Sequence, residues 1–455
     1  MNKSILSSAI AFAITASAFS VSSAQAEDLI FSPGEDDRFS WSSYESLKSM
    51  DLKGEKVSVF GPWLGSEKEH FDHVIAYFEA ATGADVEYAG SDSFEQQIVI
   101  DTQAGSAPNV SIFPQPGLAA DLAAKGLVTP LDSAVKQGVV NDYAAGQSWV
   151  DLATFKDAQG KDDFYGVFYR ADLKSLVWYS PDNFDDAGYD IPETMEELKT
   201  LTQQIVSDGG TPWCIGLGSG AATGWPATDW VEDLMLRTQS PEVYDQWVKN
   251  DIPFDDPRVV NAIDEFGWFA RNDTFVDGGA ASVSSTDFRD SPKGLFASPA
   301  KCYMHRQASF IPAFFPEGTE LGVDADFFYF PSYEAKDLGN PVLGAGTLVS
   351  ITNDSKGSRA FIDFMRSPIA HELWMAQTGF ISAHLKANPD LYSSEVAKKQ
   401  GGILRDATTF RFDASDLMPG KIGAGAFWTG MVDYTSGKES LEVAKGIQKS
   451  WDAIK

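Results

Sequence analysis

Between residues 57 and 126 short apolar runs alternate with amphipathic ones, and this alternation constrains the fold more than any other feature. Residues 57–60, 86–89 and 110–113 each read as a strand. Ser66-Glu67-Lys68-Glu69 has the form of a capping box opening a helix. Phe71, Val74, Ile75 and Phe78 give that helix one apolar stripe, and Gly83 ends it. Residues 94–102 and 118–125 read as further helices, the second stopped by Gly126. A β-α-β-α-β order implies parallel strands with helices on the faces. Three loops then follow strand ends: Gly61-Pro62-Trp63-Leu64-Gly65, Gly90-Ser91-Asp92-Ser93 and Pro114-Gln115-Pro116-Gly117. In open α/β sheets that edge forms the ligand crevice.

The rhythm returns further on. Thr194-Met195-Glu196-Glu197 is a second capping box, on a helix that stops at Gly209-Gly210. Residues 213–217 read as a strand running into a long loop, Gly218 to Trp225. A helix over 230–237 and a strand over 301–305, followed by Arg306-Gln307, complete the pattern. Two α/β lobes are expected, with residues 165–179 crossing between them. Residues 27–53 are polar and irregular and read as an arm laid over the surface.

The first 26 residues carry Lys3, a mostly apolar run from Ile5 to Val21 diluted with small polar residues, and Ala24-Gln25-Ala26 before Glu27. That order reads as a secretory leader cut after Ala26. The run falls short of the roughly 18–20 strongly apolar residues of a membrane anchor. Export to the periplasm follows, and no later segment is apolar enough to span a membrane. The two cysteines, Cys214 and Cys302, then most simply form one disulfide; two buried thiols are the alternative. A formal charge of −30 repels nucleic acid phosphates.

Catalytic signals are absent. Asp162-Asp163, Asp185-Asp186 and Asp255-Asp256 are sequence neighbours, not two carboxylates spaced across a glycosidic bond. His371-Glu372 does not continue into a zinc motif, and His70 and His73 have no evident third ligand. No phosphate-binding or nucleophile-elbow pattern occurs, and nothing calls for a cofactor.

Sugar recognition has the residues it needs. Sugar C–H faces pack on aromatic rings, and hydroxyls need paired donors and acceptors. Trp63, Phe94, Glu95 and Gln115 lie at strand-end loops of the first lobe. Trp225, Asp229, His305, Arg306, Gln307 and Trp428 lie in later segments. These ten are the candidate ligand-binding set.

The chain resembles the bacterial extracellular solute-binding proteins that include the maltose-binding protein, over nearly its whole length past the leader. The carrying motifs include Phe78-Glu79-Ala80-Ala81-Thr82-Gly83, Ala107-Pro108-Asn109-Val110, Ser175-Leu176-Val177-Trp178-Tyr179 and Ile191-Pro192-Glu193-Thr194. Ala426-Phe427-Trp428 resembles the family's last helical region, where a Trp stacks on a sugar; the family's Arg four positions on is Val432 here. Ala221 to Trp230, Cys302 to Phe310 and Arg411 to Gly420 look like the α-glucoside-binding branch. The resemblance implies a two-lobe periplasmic-binding-protein fold of type II character, each lobe a mostly parallel sheet flanked by helices. It places residues 27–168 plus 345–380 in one lobe and 169–340 plus 385–455 in the other, with hinge segments near 166–174, 333–345 and 378–386. Cys214 and Cys302 fall in one lobe, on strands able to lie side by side. It implies a monomeric, non-enzymatic receptor that takes an α-glucoside such as sucrose, trehalose or maltose to the transmembrane permease of an ABC importer. Binding of another sugar or polyol, or a secreted glycoside-active enzyme, is the competing expectation.

Overall fold

The protein is described here from a computed structural model covering residues 29–406 and 410–454. The leader and its cleavage site at Ala26 lie outside the described residues. The strands in chain order are β1 (Lys56–Gly61), β2 (Asp85–Gly90), β3 (Val110–Phe113), β4 (Thr154–Lys156), β5 (Asp162–Phe164), β6 (Gly166–Leu173), β7 (Leu176–Tyr179), β8 (Met304–Arg306), β9 (Asp326–Tyr329), β10 (Val342–Ile351) and β11 (Phe410–Phe412).

As the β-α-β-α-β reading requires, β1 pairs in parallel with both β2 and β3. The chain's later part completes this sheet: β10 runs antiparallel to β3 and β6 and parallel to β11. Every residue of β3, β6 and β10 is buried. Strands covered on both faces are continuously apolar or small rather than alternating, and β10 accordingly reads Val-Leu-Gly-Ala-Gly-Thr-Leu-Val-Ser-Ile. The helix Ser66–Thr82 lays Phe71, Val74, Ile75 and Phe78 into the core beside this sheet. It starts differently from expectation. Gly65 is the N-cap, at φ 56°, and Ser66 is already helical with no side-chain cap. Glu67 is instead drawn into an ion pair described below. Gly83 ends the helix in the left-handed region, at φ 76°.

The second sheet has β7 at its centre, antiparallel to β8 and β9. The strand expected over 213–217 is reduced to single bridges from Trp213 to Val276 and to Met304. Further on, Gly216 and Gly218 press their backbones on Thr286 and Asp287, with no room for a Cβ, and Gly218 makes one more single bridge, to Asp287. Thr194 does cap the helix Met195–Ser207 with the full reciprocal box. Cys214 and Cys302 form a disulfide, with Cα atoms 5.5 Å apart.

Two large apolar cores result. One gathers Phe71, Phe113, Val167 and Leu348; the other gathers Val177, Trp230, Phe266 and Met431. Tyr169 and Ala171 of β6 pack in the first core and Val177 of β7 in the second, so the chain passes from one to the other between them, while Leu173, Leu176 and Trp178 join Cys214, Cys302 and Phe310 in a third, smaller core. Ala383, Ala387 and Leu391 also pack in the first. The amino-terminal segment is more than a surface arm: it forms the helix Trp41–Leu47 and buries Phe39, Tyr44, Leu47 and Leu52 in the first core. Its polar composition hides those four positions.

Candidate functional site

The loops after β1, β2 and β3 face segments packed on the other core across a cleft. It holds about 800 Å³ of space, part of it open to solvent. Trp63, Glu95 and Gln115 line it from one side, and Trp225, Asp229 and Trp428 from the other. The remaining four sequence candidates are not in its lining. Phe94 is the first residue of the helix Phe94–Ala104 and points inward, 5.1 Å from Phe60 and 5.4 Å from Phe113 between ring centroids. One position later the helix has turned by about 100°, which carries Glu95 to the cleft. His305, Arg306 and Gln307 are buried on or beside β8, which pairs with the interior strand β7. His305 Nδ1 is 2.8 Å from the Cys214 carbonyl, Arg306 donates to Asp233 at 2.7 Å, and the Gln307 side chain accepts from the Ala308 amide. All three serve the interior around β7.

Three cations not picked out by the sequence reading organise the cleft: Arg170, Lys174 and Arg289. Arg170 and Asp172 lie on β6 and Lys174 follows it. Two-residue spacing puts all three charges on one face of an extended chain, a signal that was available in Arg170-Ala171-Asp172-Leu173-Lys174. Arg170 donates to Glu67 at 2.5 Å and lies 5.4 Å from the Trp63 ring and 5.1 Å from that of Phe310. Trp63 is itself wedged against Phe71 and Trp374, so it backs the arginine rather than offering a bare ring face. Burial raises the Glu67 carboxyl, with Arg170 opposing the shift. Burial opposes the Arg170 charge, but Asp172 and Glu67 outweigh it and hold the guanidinium protonated.

Lys174 donates to Asp229 at 2.9 Å and to Asp413 at 2.5 Å, fully enclosed. Asp229, Glu232 and Asp413 can bring carboxylate oxygens within 4.8 Å of one another. That spacing suits a bound cation, and the Lys174 ammonium supplies it from within the chain. Glu232 in turn accepts the Ala414 and Ser415 amides. Burial pushes Asp229 up to about 7, against the pull of Lys174. Asp413 is held down at about 2: burial works against this, but Lys174 and the hydrogen bond with Glu232 prevail.

The cleft also concentrates unmet hydrogen-bonding capacity. Buried polar groups are nearly always paired. Here the buried Trp63 Nε1, Arg170 Nε, Arg289 Nε and Trp428 Nε1 donors, the Gln115 Oε1, Asp172 Oδ1 and Asp229 Oδ2 acceptors, and the Thr347 hydroxyl have no hydrogen-bond partner within the protein. All belong to residues lining this one cleft. Arg170 Nε and Asp172 Oδ1 are 3.2 Å apart as an ion pair but are not aligned to satisfy each other. Donors and acceptors are thus interleaved around the same space.

Glu95 adds a titrating group. Burial pushes it up to about 7, while its own backbone amide and the Gln115 side chain pull the other way. Its folded pKa lies above the unfolded value of 4.5. Ionisation therefore weakens the fold progressively from about pH 4.5 to pH 7. A ligand hydroxyl donating to the ionised carboxylate is favoured over one meeting the neutral acid by about 1 kcal/mol. Ligand affinity is expected to rise about three- to fourfold between pH 6 and pH 8 and to lose most of that rise in Glu95→Gln. Calorimetric titration across this range checks it.

Residues 65–372 match the model of the bacterial extracellular solute-binding protein family. The chain is 63% identical to the alpha-glucosides-binding periplasmic protein AglE of Rhizobium meliloti, with both chains covered completely. It is 42% identical to the osmoprotective compounds-binding protein GgtB of Synechocystis, over 88% of this chain and 93% of the relative. Its fold matches that of a maltose-bound MalE3 of T. maritima with a TM-score of 0.68, at 14% identity, covering 88% of this chain and 100% of the other.

Proposed function

This chain belongs to the bacterial extracellular solute-binding protein family, and from that premise we propose that its cleft captures a neutral α-glucoside of the sucrose, trehalose or maltose class for an ABC importer. A member of this family is a receptor: it binds outside the cytoplasm and passes its ligand to a membrane permease without chemical change. The observation that carries the ligand class is the set of unpartnered donors and acceptors around one cleft. A sugar hydroxyl donates and accepts at once, so it suits a wall where both kinds are interleaved. A ligand lacking them would leave those groups dry and unpaired, at about 1–3 kcal/mol each.

The charges support a neutral ligand. Arg170 sits by the faces of Trp63 and Phe310, Lys174 by Trp225, and Arg289 by Phe288. These faces already hold the chain's own cations, and each cation is paired within the chain, Arg170 with Glu67, Lys174 with Asp229 and Asp413, and Arg289 with Asp92, so the lining calls for no charged ligand to balance it. Trp428 carries no such cation and is the ring best placed to stack on a sugar. The α-glucoside assignment rests on the relative that is 63% identical throughout.

Closure follows from the two-core arrangement. We take the lobes to be residues 27–168 plus 345–391 and 169–340 plus 392–455, with hinge segments near 166–174 and 333–345 and a third crossing past Leu391. Residues 385–391 move with the first lobe, given the packing of Ala387 and Leu391. Sugar held by one wall favours the closed form, because only closure brings the second wall into contact. The test is thermal unfolding of the mature protein with sucrose, trehalose, maltose, glucose, a polyol and glycine betaine. A cognate sugar at about 100 times its dissociation constant adds about 2.7 kcal/mol of stability. Stabilisation by glycine betaine and by none of the sugars would sink the reading, as would sugar hydrolysis by the purified protein.

A further inference from the structure

Asp92, in the loop after β2, belongs to one wall of the cleft, and Arg289 to the other. The Arg289 Nη2 donates to Asp92 Oδ1 at 2.6 Å, across the opening. The pair is half-buried, with side-chain exposures of 19% and 29%. Arg289 is steadied on its own side by the Phe288 ring, 4.3 Å from the guanidinium, and by both carboxylate oxygens of Asp287 at 3.4 Å. A second contact seals the same spot. Gly220 turns at φ +54° with its backbone against Asp92; a Cβ there would lie 2.8 Å from the Asp92 Cβ. Only glycine combines that backbone with that approach. Arg289 Nε remains buried and without a partner beside the cleft.

We propose that the Asp92–Arg289 pair closes one end of the cleft and makes Arg289 the residue that sets ligand length. This rests on the reading of the cleft as a saccharide site. One guanidinium performs both tasks: Nη2 holds the two walls together, and Nε–H is presented to the enclosed ligand. A disaccharide ends at the pair and leaves it intact. A longer chain projecting past that end must break the bridge and push the Gly220 turn away from Asp92.

Calorimetric titration with maltose, maltotriose and maltotetraose tests this in the mature wild type, Arg289→Ala and Asp92→Ala. The wild type is expected to bind maltose at least tenfold more tightly than maltotetraose. Both variants should bind maltose more weakly and shrink that ratio to about threefold or less. Raising the salt concentration should shrink it in the wild type and leave the variants unchanged, since screening acts on a partly exposed pair. Should Arg289→Ala fail to fold, Asp92→Ala carries the test, because it leaves the guanidinium on Phe288 and Asp287. Equal wild-type affinity for maltose and maltotetraose overturns the proposal, as does a ratio unmoved in the variants while maltose still binds. A wild type that binds no saccharide overturns the reading of the site, and this inference with it.

Discussion

A Lys174→Met protein is expected to lose about 3–5 kcal/mol of stability, the range for removing one partner from a buried ion pair. Methionine keeps the length and most of the volume, so the loss is electrostatic. Lys174 is the cation in direct contact with both Asp229 and Asp413, and Glu232 and Asp416 are enclosed beside them. Without the ammonium, Asp229 and Asp413 have folded pKa values above their unfolded ones. A carboxyl raised in this way weakens the fold as pH rises. The deficit against wild type should therefore be larger at pH 8 than at pH 5. Urea unfolding at the two pH values measures it; a variant within 1 kcal/mol of wild type at pH 8 would show that the cluster does not need its lysine. Sugar affinity should fall as well, because Lys174 orients Asp229, whose other oxygen faces the cleft unpaired.

Replacing Trp428 by alanine should weaken sugar binding at least tenfold while the protein still folds. Trp428 is 3% exposed and lines the cleft, yet it belongs to none of the apolar cores, unlike its neighbour Phe427. Its indole N–H has no partner in the protein. Losing an apolar ring contact removes about 1.5–3 kcal/mol of ligand contact, and the Nε1 donor goes with it. Trp428→Phe keeps the ring and deletes the donor, so an intermediate loss is expected. Titration of all three proteins separates stacking from hydrogen bonding. Unchanged affinity in Trp428→Ala would remove this residue from the site.

The parallel strand–helix rhythm of the first lobe was legible because its apolar periodicities are local: Phe71, Val74, Ile75 and Phe78 announce one face without reference to the rest of the chain. The Thr194 box was legible for the same reason. The Ser66 box was not, since Gly65 took the cap position and left Ser66 inside the helix with no side-chain cap. Trp63 and Gln115 lie in the cleft on loops that follow β1 and β3, and Glu95, Trp225, Asp229 and Trp428 reach it from the amino-terminal turns of helices that converge there. Phe94 missed it by one helical step. His305, Arg306 and Gln307 were chemically suited to sugar, but β7 and Asp233 claimed them for the interior.

Residue order alone determined the lobe-building pattern and the family. Both depend on short-range periodicity or on contiguous motifs. Tertiary structure alone decided which polar groups go unpaired. It set Arg170 between Trp63 and Phe310, gave Lys174 to Asp229 and Asp413, and met Asp92 with Arg289 across the opening. Such pairings join residues up to 239 positions apart. Partnership at that range is settled by burial and competition among charges, and neither is written in the spacing of the residues themselves.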